Sequence, residues 1–199
     1  LKAVTFQAKL GTVHDKCLRT GSLCQYLSGQ PGFENEQSLQ QDLDRAAKIC
    51  KADLVSQVVI EFTKLQGVMG RVYALEAGEN QAVAHAIEQH YRPVHSGGQL
   101  PDGHCASLLS IADKLDTLCG CFSVNLIPTG GADPYALRRQ SIGIILIMLE
   151  QNYVFSLTEM IEKGLETFIT DPAKKDETAV QIKAFLQNRM INILTDKGF

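Results

Sequence analysis

The sequence predicts an all-α fold, a bundle of six or seven helices read as one domain over residues 1–199. Three observations carry that expectation. Apolar residues recur at steps of three and four along most of the chain, capping residues stand before several of those stripes, and no stretch alternates apolar with polar as a half-buried strand does.

From Phe6 through Leu10, Val13, Cys17, Cys24 and Leu27 the spacing gives one helix face, or two helices broken near Gly21, closed by the loop Ser28-Gly29-Gln30-Pro31-Gly32. Ser38 with Gln41 reads as a capping box ahead of the stripe Leu43, Ala47, Cys50, Leu54, Val58, Phe62, Leu65, which predicts one long helix interrupted only at Gln66-Gly67. Residues 69–74 are too short to assign. Val83, Ala86, Ile87 and His90 share one side of a helix from about Glu79 to Tyr91, with His85 facing outward and Pro93 ending it. Cys105, Leu109, Ala112, Leu115, Cys119 and Phe122 define a long buried helix. Asp133-Pro134 predicts an N-cap and first helical position for an apolar helix running to about Leu149. Ser156 with Glu159 opens a helix through Ile161, Leu165 and Phe168 that Asp171-Pro172 stops, and a last helix spans roughly Glu177 to Leu194.

Composition narrows the function. With 45% hydrophobic and 21% charged residues the chain is ordinary globular material, and a formal charge of -3 argues against a surface that is basic throughout, though not against a local basic patch. None of the six cysteines forms a C-x-x-C pair, so Cys17, Cys24, Cys50, Cys105, Cys119 and Cys121 read mainly as small core hydrophobes in a reducing, cytoplasmic setting. No apolar run approaches the roughly 20 residues of a membrane span. The chain opens on Leu1 without a signal peptide, which suggests a piece of something longer. There is no G-x-x-x-x-G-K-[ST], G-x-G-x-x-G or G-x-S-x-G, so a P-loop, a Rossmann turn and a nucleophile elbow are not indicated.

Three sets of residues could carry chemistry. His14-Asp15 is a literal His-Asp doublet, of a kind that holds divalent ions in phosphohydrolases, but no earlier histidine partners it and it reads as a solvated pair at a helix rim. Asp113 and Asp116 lie three residues apart on the buried helix, with Asp116 only about 40° round the wheel from Ala112. A buried carboxylate requires a partner, either a cation, expected to be an arginine, or a metal shared with Asp53 and His90. Arg138-Arg139, at the start of a helix and after the loop Pro128-Thr129-Gly130-Gly131, suggest a phosphate cradle of guanidinium and backbone N–H groups.

Lys51-Ala52-Asp53-Leu54-Val55, Glu61-Phe62, Leu65-Gln66-Gly67-Val68-Met69-Gly70, Ala112-Asp113-Lys114-Leu115-Asp116-Thr117-Leu118, Pro128-Thr129-Gly130 and Asp133-Pro134-Tyr135-Ala136-Leu137-Arg138-Arg139 resemble, in order, the beta subunits of bacterial-type glycyl-tRNA synthetases. Leu10-Gly11, Lys16, Arg19 and the closing Asp196-Lys197-Gly198-Phe199 extend the resemblance over essentially the whole chain.

The resemblance implies an internal segment similar to HD-type phosphohydrolase domains, in which a His-Asp doublet, an earlier histidine and a late aspartate hold a metal. Laid on this chain, Ala52-Asp53 falls at the doublet, Asp113 at the late aspartate with Asp116 beside it, and His90 resembles an auxiliary histidine. Alanine has no lone pair to give, so the implied site is degenerate, with no catalytic residue and no metal in this segment. It further implies a noncatalytic domain that scaffolds and binds tRNA(Gly) within a glycine–tRNA ligase, beside an alpha subunit that uses ATP with Mg and glycine, and beside the remaining domains of the beta subunit. Lys16, Arg19, Arg71, Arg92, Lys114, Arg138 and Arg139 are then candidates to neutralise tRNA phosphates. The alternatives are a metal-dependent phosphohydrolase using Asp53, His90, Asp113 and His14, and a purely structural module that joins subunits.

Overall fold

A short antiparallel hairpin opens the chain, β1 (Thr5–Gln7) against β2 (Gly11–Thr12), where the sequence predicted no strand. Everything else in the computed structural model, which describes residues 1–33, 36–196 and 198, is helix and connecting loop. The fold is all-α, with nine α-helices among the described residues against the six or seven expected. Two compact units, Leu1–Asp113 and Lys114–Phe199, divide it.

In the first unit, Thr12 caps α1 (Val13–Ser28), which runs unbroken past Gly21. The helix α2 (Gln37–Ile49) lacks a side-chain cap, so Ser38 lies inside the first turn and not before it. The expected continuation to Leu65 breaks at Cys50-Lys51 into a 3-10 turn (Ala52–Val55), α3 (Gln57–Glu61) and a second 3-10 turn (Thr63–Leu65). The reason is local. Ser56 turns the chain, its hydroxyl donating to the Asp53 carbonyl at 2.8 Å and accepting the Val59 N–H at 3.3 Å, and the β-branched run Val58-Val59-Ile60 does little to oppose a break. The short stretch left unassigned forms α4 (Val68–Glu76), and Asn80 caps α5 (Gln81–Gln89). Helix α2 packs against both α1 and α5, and α4 packs on α5.

The long helix α6 (Gly103–Ser123) contributes its first half to this unit and its second half to the next; from Cys105 onward it is buried on every side, as its apolar sequence requires. The second unit adds α7 (Leu137–Glu150), α8 (Leu157–Leu165) and α9 (Pro172–Asp196), with α7 and α8 both packed on α9. Ser156 caps α8 as expected. Asp171-Pro172 starts α9 instead of merely stopping α8: Pro172 takes the first helical position, and the Asp171 carboxylate accepts the Ala173 N–H at 3.1 Å. Of the closing motif, Lys197 and Phe199 lie outside the described residues. No helix among the described residues is long and apolar enough to cross a membrane.

Candidate functional site

Three segments of the first unit deliver side chains to one buried point. His90 ends α5, fully buried, with Nδ1 2.7 Å from the Ile87 carbonyl oxygen and Nε2 2.7 Å from the Lys51 ammonium. A carbonyl only accepts and an ammonium only donates. Nδ1 therefore carries the proton and Nε2 offers its lone pair, so the imidazole is neutral. Asp113 of α6 brings Oδ1 to 3.2 Å from Lys51 Nζ and 3.2 Å from Lys16 Nζ, and Lys16 also donates to the Asp113 carbonyl at 2.9 Å. Two ammonium groups thus share one carboxylate in the protein interior, each buried to within a few per cent.

Aromatic rings line this cluster. Lys51 Nζ lies 4.0 Å from the centroid of the Tyr91 ring, which packs on His90 at 3.8 Å, and Lys16 Nζ lies 5.0 Å from the Phe6 ring. Burial, the largest single influence, would lower the Lys51 pKa, but Asp113 together with Tyr91 and Cys50 outweighs it and raises the value above that of a free lysine. Lys51 is charged at neutral pH. Burial likewise pushes the Tyr91 phenol up to about 12, so that group is neutral.

The expected degenerate HD set is partly brought together. His90 and Asp113 converge, Ala52 is exposed, and Asp53 turns elsewhere. Asp53 is buried, with Oδ2 accepting the Gly67 N–H at 2.6 Å, while Oδ1 finds no partner among the described residues. The Leu-Gln-Gly-x-Met-Gly motif serves this carboxylate. Gly67 adopts φ +81 to aim its N–H, and a Cβ at Gly70 would stand 2.7 Å from Ile87 Cγ2 and 3.2 Å from Asp53 Oδ2. Asp116 is buried one turn along α6 and falls in the second unit.

These residues do not fit a divalent ion. Between the imidazole lone pair and the late carboxylate, where an HD hydrolase would hold its metal, stands the Lys51 ammonium. Among the described residues no three His, Cys, Asp or Glu side chains are grouped to hold one ion. Lys51 escaped the list of sequence candidates, although it lies four residues beyond Ala47 and continues the inner stripe just past the end of α2, a position where a charged residue signals a buried partner. The cations that meet Asp113 include two lysines where an arginine had been expected.

The other candidates take definite places. Asp15 is the third residue of α1 and closes a capping box: Thr12 Oγ1 accepts the Asp15 N–H at 3.1 Å while Asp15 Oδ2 accepts the Thr12 N–H at 2.8 Å. Its carboxyl is held below the usual range by those Thr12 hydrogen bonds. The His14-Asp15 doublet is thus a helix start. The expected phosphate cradle before α7 is filled from within, since Asp133 accepts the Leu137 N–H at 2.7 Å and the Arg138 N–H at 3.0 Å. Left-handed Ala136 sets the helix start three residues later than the Asp-Pro signal suggested.

Of the basic candidates, Lys16 and Lys114 are buried, Arg71 pairs with Glu88, and Arg19 donates to the Leu10 carbonyl at 3.1 Å. Arg92 is half-buried, Arg138 is half-buried with one guanidinium N–H on the Gly130 carbonyl at 2.8 Å, and Arg139 is exposed. Arg189 of α9, which the sequence reading omitted, has its pKa lowered first by burial and then by the Arg138 charge, which places two guanidinium groups within electrostatic reach.

Comparison with known proteins agrees with the motifs. Over all 199 residues the chain is 58% identical to the glycine–tRNA ligase beta subunit of Desulforapulum autotrophicum, covering 100% of this chain and 29% of that protein. The glycine–tRNA ligase beta subunits of Desulfatibacillum aliphaticivorans and Trichlorobacter lovleyi are each 47% identical, over 100% and 97% of this chain and 29% and 28% of theirs. The chain therefore spans under a third of the length of these relatives. The family model for the glycyl-tRNA synthetase beta subunit matches residues 1–199, and the chain belongs to that family.

Proposed function

We propose that this segment is a noncatalytic, HD-like helical module of a glycine–tRNA ligase that helps seat tRNA(Gly), and that it does not hydrolyse phosphate esters. The observation that carries the reading is the Lys51 ammonium lodged between His90 and Asp113: a site whose ion has been replaced by a lysine keeps the fold and gives up the chemistry. Membership of the beta-subunit family supports the ligase setting. In that setting the alpha subunit activates glycine with ATP and Mg in the cytoplasm, and the beta subunit, through this and its remaining domains, holds the RNA.

The RNA-facing cations in this reading are those left to solvent, Arg139 and Arg138 with Arg189 in the second unit and Arg92 in the first. Lys16 and Lys114 act inside the fold instead. Phosphate contacts fix position more than sequence, so each lost cation weakens tRNA binding uniformly and flattens its salt dependence. In the assembled ligase, Arg138→Ala and Arg139→Ala together should raise the KM for tRNA roughly 5–30-fold, about 1–2 kcal/mol, and leave glycyl-adenylate formation unchanged. An unchanged KM would favour a purely structural module; phosphomonoester hydrolysis by the purified chain would restore the phosphohydrolase reading.

A further inference from the structure

Between α2, the 3-10 turn Ala52–Val55, α4 and α5, the first unit holds a cavity of about 250 Å³. Buried Asp53, Gly70, Ala74 and Ile87 form its inner wall, and exposed Ala52 and Tyr73 stand at its mouth. The volume is below the roughly 300–1,000 Å³ of pockets that hold drug-sized ligands, so a molecule that fits here is small.

Asp53 brings an unmet acceptor to that wall. Its Oδ2 takes the Gly67 N–H, but Oδ1 is shielded from solvent and has no hydrogen-bond partner among the described residues. Folding has already stripped that oxygen of water. A ligand that donates to it therefore restores a hydrogen bond with no further desolvation cost on the protein side. Gly70 keeps the neighbouring space clear, since a Cβ there would stand 3.2 Å from Oδ2 and 3.3 Å from Asp53 Cγ. Arg45 also borders the cavity but is taken up by Glu79, its Nε donating to Oε1 at 2.9 Å.

The kind of donor follows from the geometry. A carboxylate makes its strongest hydrogen bonds to cations. With Oδ2 engaged by Gly67, a guanidinium loses the two-oxygen grip that favours it, whereas an ammonium needs one oxygen only. A divalent ion requires several ligands, and no three His, Cys, Asp or Glu side chains among the described residues are grouped to supply them. Ala74 and Ile87 offer apolar surface to methylenes, and the Tyr73 ring at the mouth suits a cation on its way in. We propose that this cavity binds a primary ammonium on a short alkyl stem, with Asp53 Oδ1 accepting from the nitrogen and the stem lying against Ala74 and Ile87. This inference rests on the first unit alone and does not depend on the tRNA reading.

The test is an NMR titration of the isotope-labelled full chain with butylammonium chloride at fixed ionic strength, read at the Gly67 and Gly70 amides. Both should shift saturably with a Kd of about 0.1–1 mM, and butanol, which has the same stem without the charge, should bind at least about 10-fold more weakly. Asp53→Asn keeps an oxygen for the Gly67 N–H and places an NH2 donor at the Oδ1 position, so it should weaken butylammonium by a similar factor. Ala52→Leu narrows the exposed mouth and leaves the carboxylate untouched; it too should weaken binding, and it keeps the test decisive if the Asn variant does not fold. Nα-acetyl-lysine amide carries the same aminobutyl stem on a peptide backbone. Binding as tight as that of butylammonium shows that a lysine side chain can enter, and binding by butylammonium alone restricts the site to a free amine. No saturable shift at either amide, butanol binding as tightly as butylammonium, or an unchanged Kd in folded Asp53→Asn or Ala52→Leu would overturn the proposal.

Discussion

Lys51 Nζ and His90 Nε2, 2.7 Å apart, fix each other's protonation: the ammonium donates, the imidazole accepts, and the Ile87 carbonyl holds the remaining ring proton. Lys51→Met keeps most of the aliphatic stem and removes the donor. Nε2 then loses the Lys51 donor and Asp113 loses one of its cations, while Lys16 remains to pair it. The expected cost is about 2–4 kcal/mol, less than the full penalty of an orphaned ion because the second lysine stays. Urea unfolding measures it, and a loss below about 0.5 kcal/mol would mean the contact is idle.

The same cluster sets the alkaline limit. Burial opposes the Lys51 charge, but Asp113, Tyr91 and Cys50 together raise its pKa above the unfolded value, so its contribution is complete below about pH 10.4 and fades as pH rises past that point. Tyr91, pushed up to about 12 by burial, must stay neutral in the fold, which costs stability as pH climbs from its unfolded value of about 10 towards about 12. Both groups bind protons more tightly folded than unfolded, so both slopes have the same sign. Buried Cys24, Cys50, Cys105 and Cys119, all held above the ordinary thiol value, start a fall of the same sign at about pH 8.5, and Tyr91→Phe should differ from the parent by a shallower fall between about 10 and 12. Denaturant midpoints at closely spaced pH values test this, and identical slopes in the two proteins would contradict it.

Thr12 and Asp15 predict an acid-side effect of opposite sign. The Asp15 carboxyl is depressed by the Thr12 hydrogen bonds, so its contribution is complete above the unfolded value of about 3.9 and is lost as pH falls through the folded one. Thr12→Ala should cost about 1 kcal/mol at neutral pH and return the Asp15 titration, followed by NMR, towards the unperturbed range.

Helix faces were legible in the sequence because spacing is a local property: α5, α6 and α8 follow their apolar stripes, and His90 and Asp116 lie inside as their wheel positions required. What spacing could not decide was competition between local signals. The stripe from Leu43 to Leu65 is periodic throughout, yet Ser56 offers a better N-cap than helix interior and splits it. Two Asp-Pro pairs carry the same start signal, but only Asp171-Pro172 begins a helix directly, because Asp133 reaches past left-handed Ala136 to cap α7 from four residues away. Lys16 and Lys51 were hidden for another reason. Lysines default to the surface, and long-range partners, Asp113 among them, keep these two inside.

Gly70 tests how closely α4 must approach. Its missing side chain lets the helix backbone lie against Ile87 and Asp53, and Gly70→Ala drives a methyl to 2.7 Å from a fully buried Ile87 carbon and 3.2 Å from Asp53 Oδ2. The gain in helix propensity, about 1 kcal/mol, is smaller than the overpacking cost of about 1–3 kcal/mol when neither neighbour can withdraw. The variant should lower the unfolding midpoint. A control at Gly78, whose φ is +85 but where a Cβ would meet nothing within 4 Å, separates backbone strain from crowding.

Divalent ions supply the remaining test, and simple electrostatics gives its direction. At about 4 Å and an effective dielectric constant of about 20, a doubly charged ion is repelled by each ammonium by roughly 8 kcal/mol and attracted by one carboxylate by the same amount. Lys51 already occupies the space between the imidazole lone pair and Asp113, and Lys16 meets the same carboxylate, so an ion there has to displace a cation and is repelled by the one that remains. A site binding Mn with a Kd of about 10 μM would, at about 1 mM ion, add about 2.7 kcal/mol and raise the Tm by roughly 5–10 °C. The expected result is a shift under about 1 °C on adding either Mn or EDTA to the chain. A rise of several degrees with Mn that Asp113→Asn abolishes would show that Lys51 yields its place to metal.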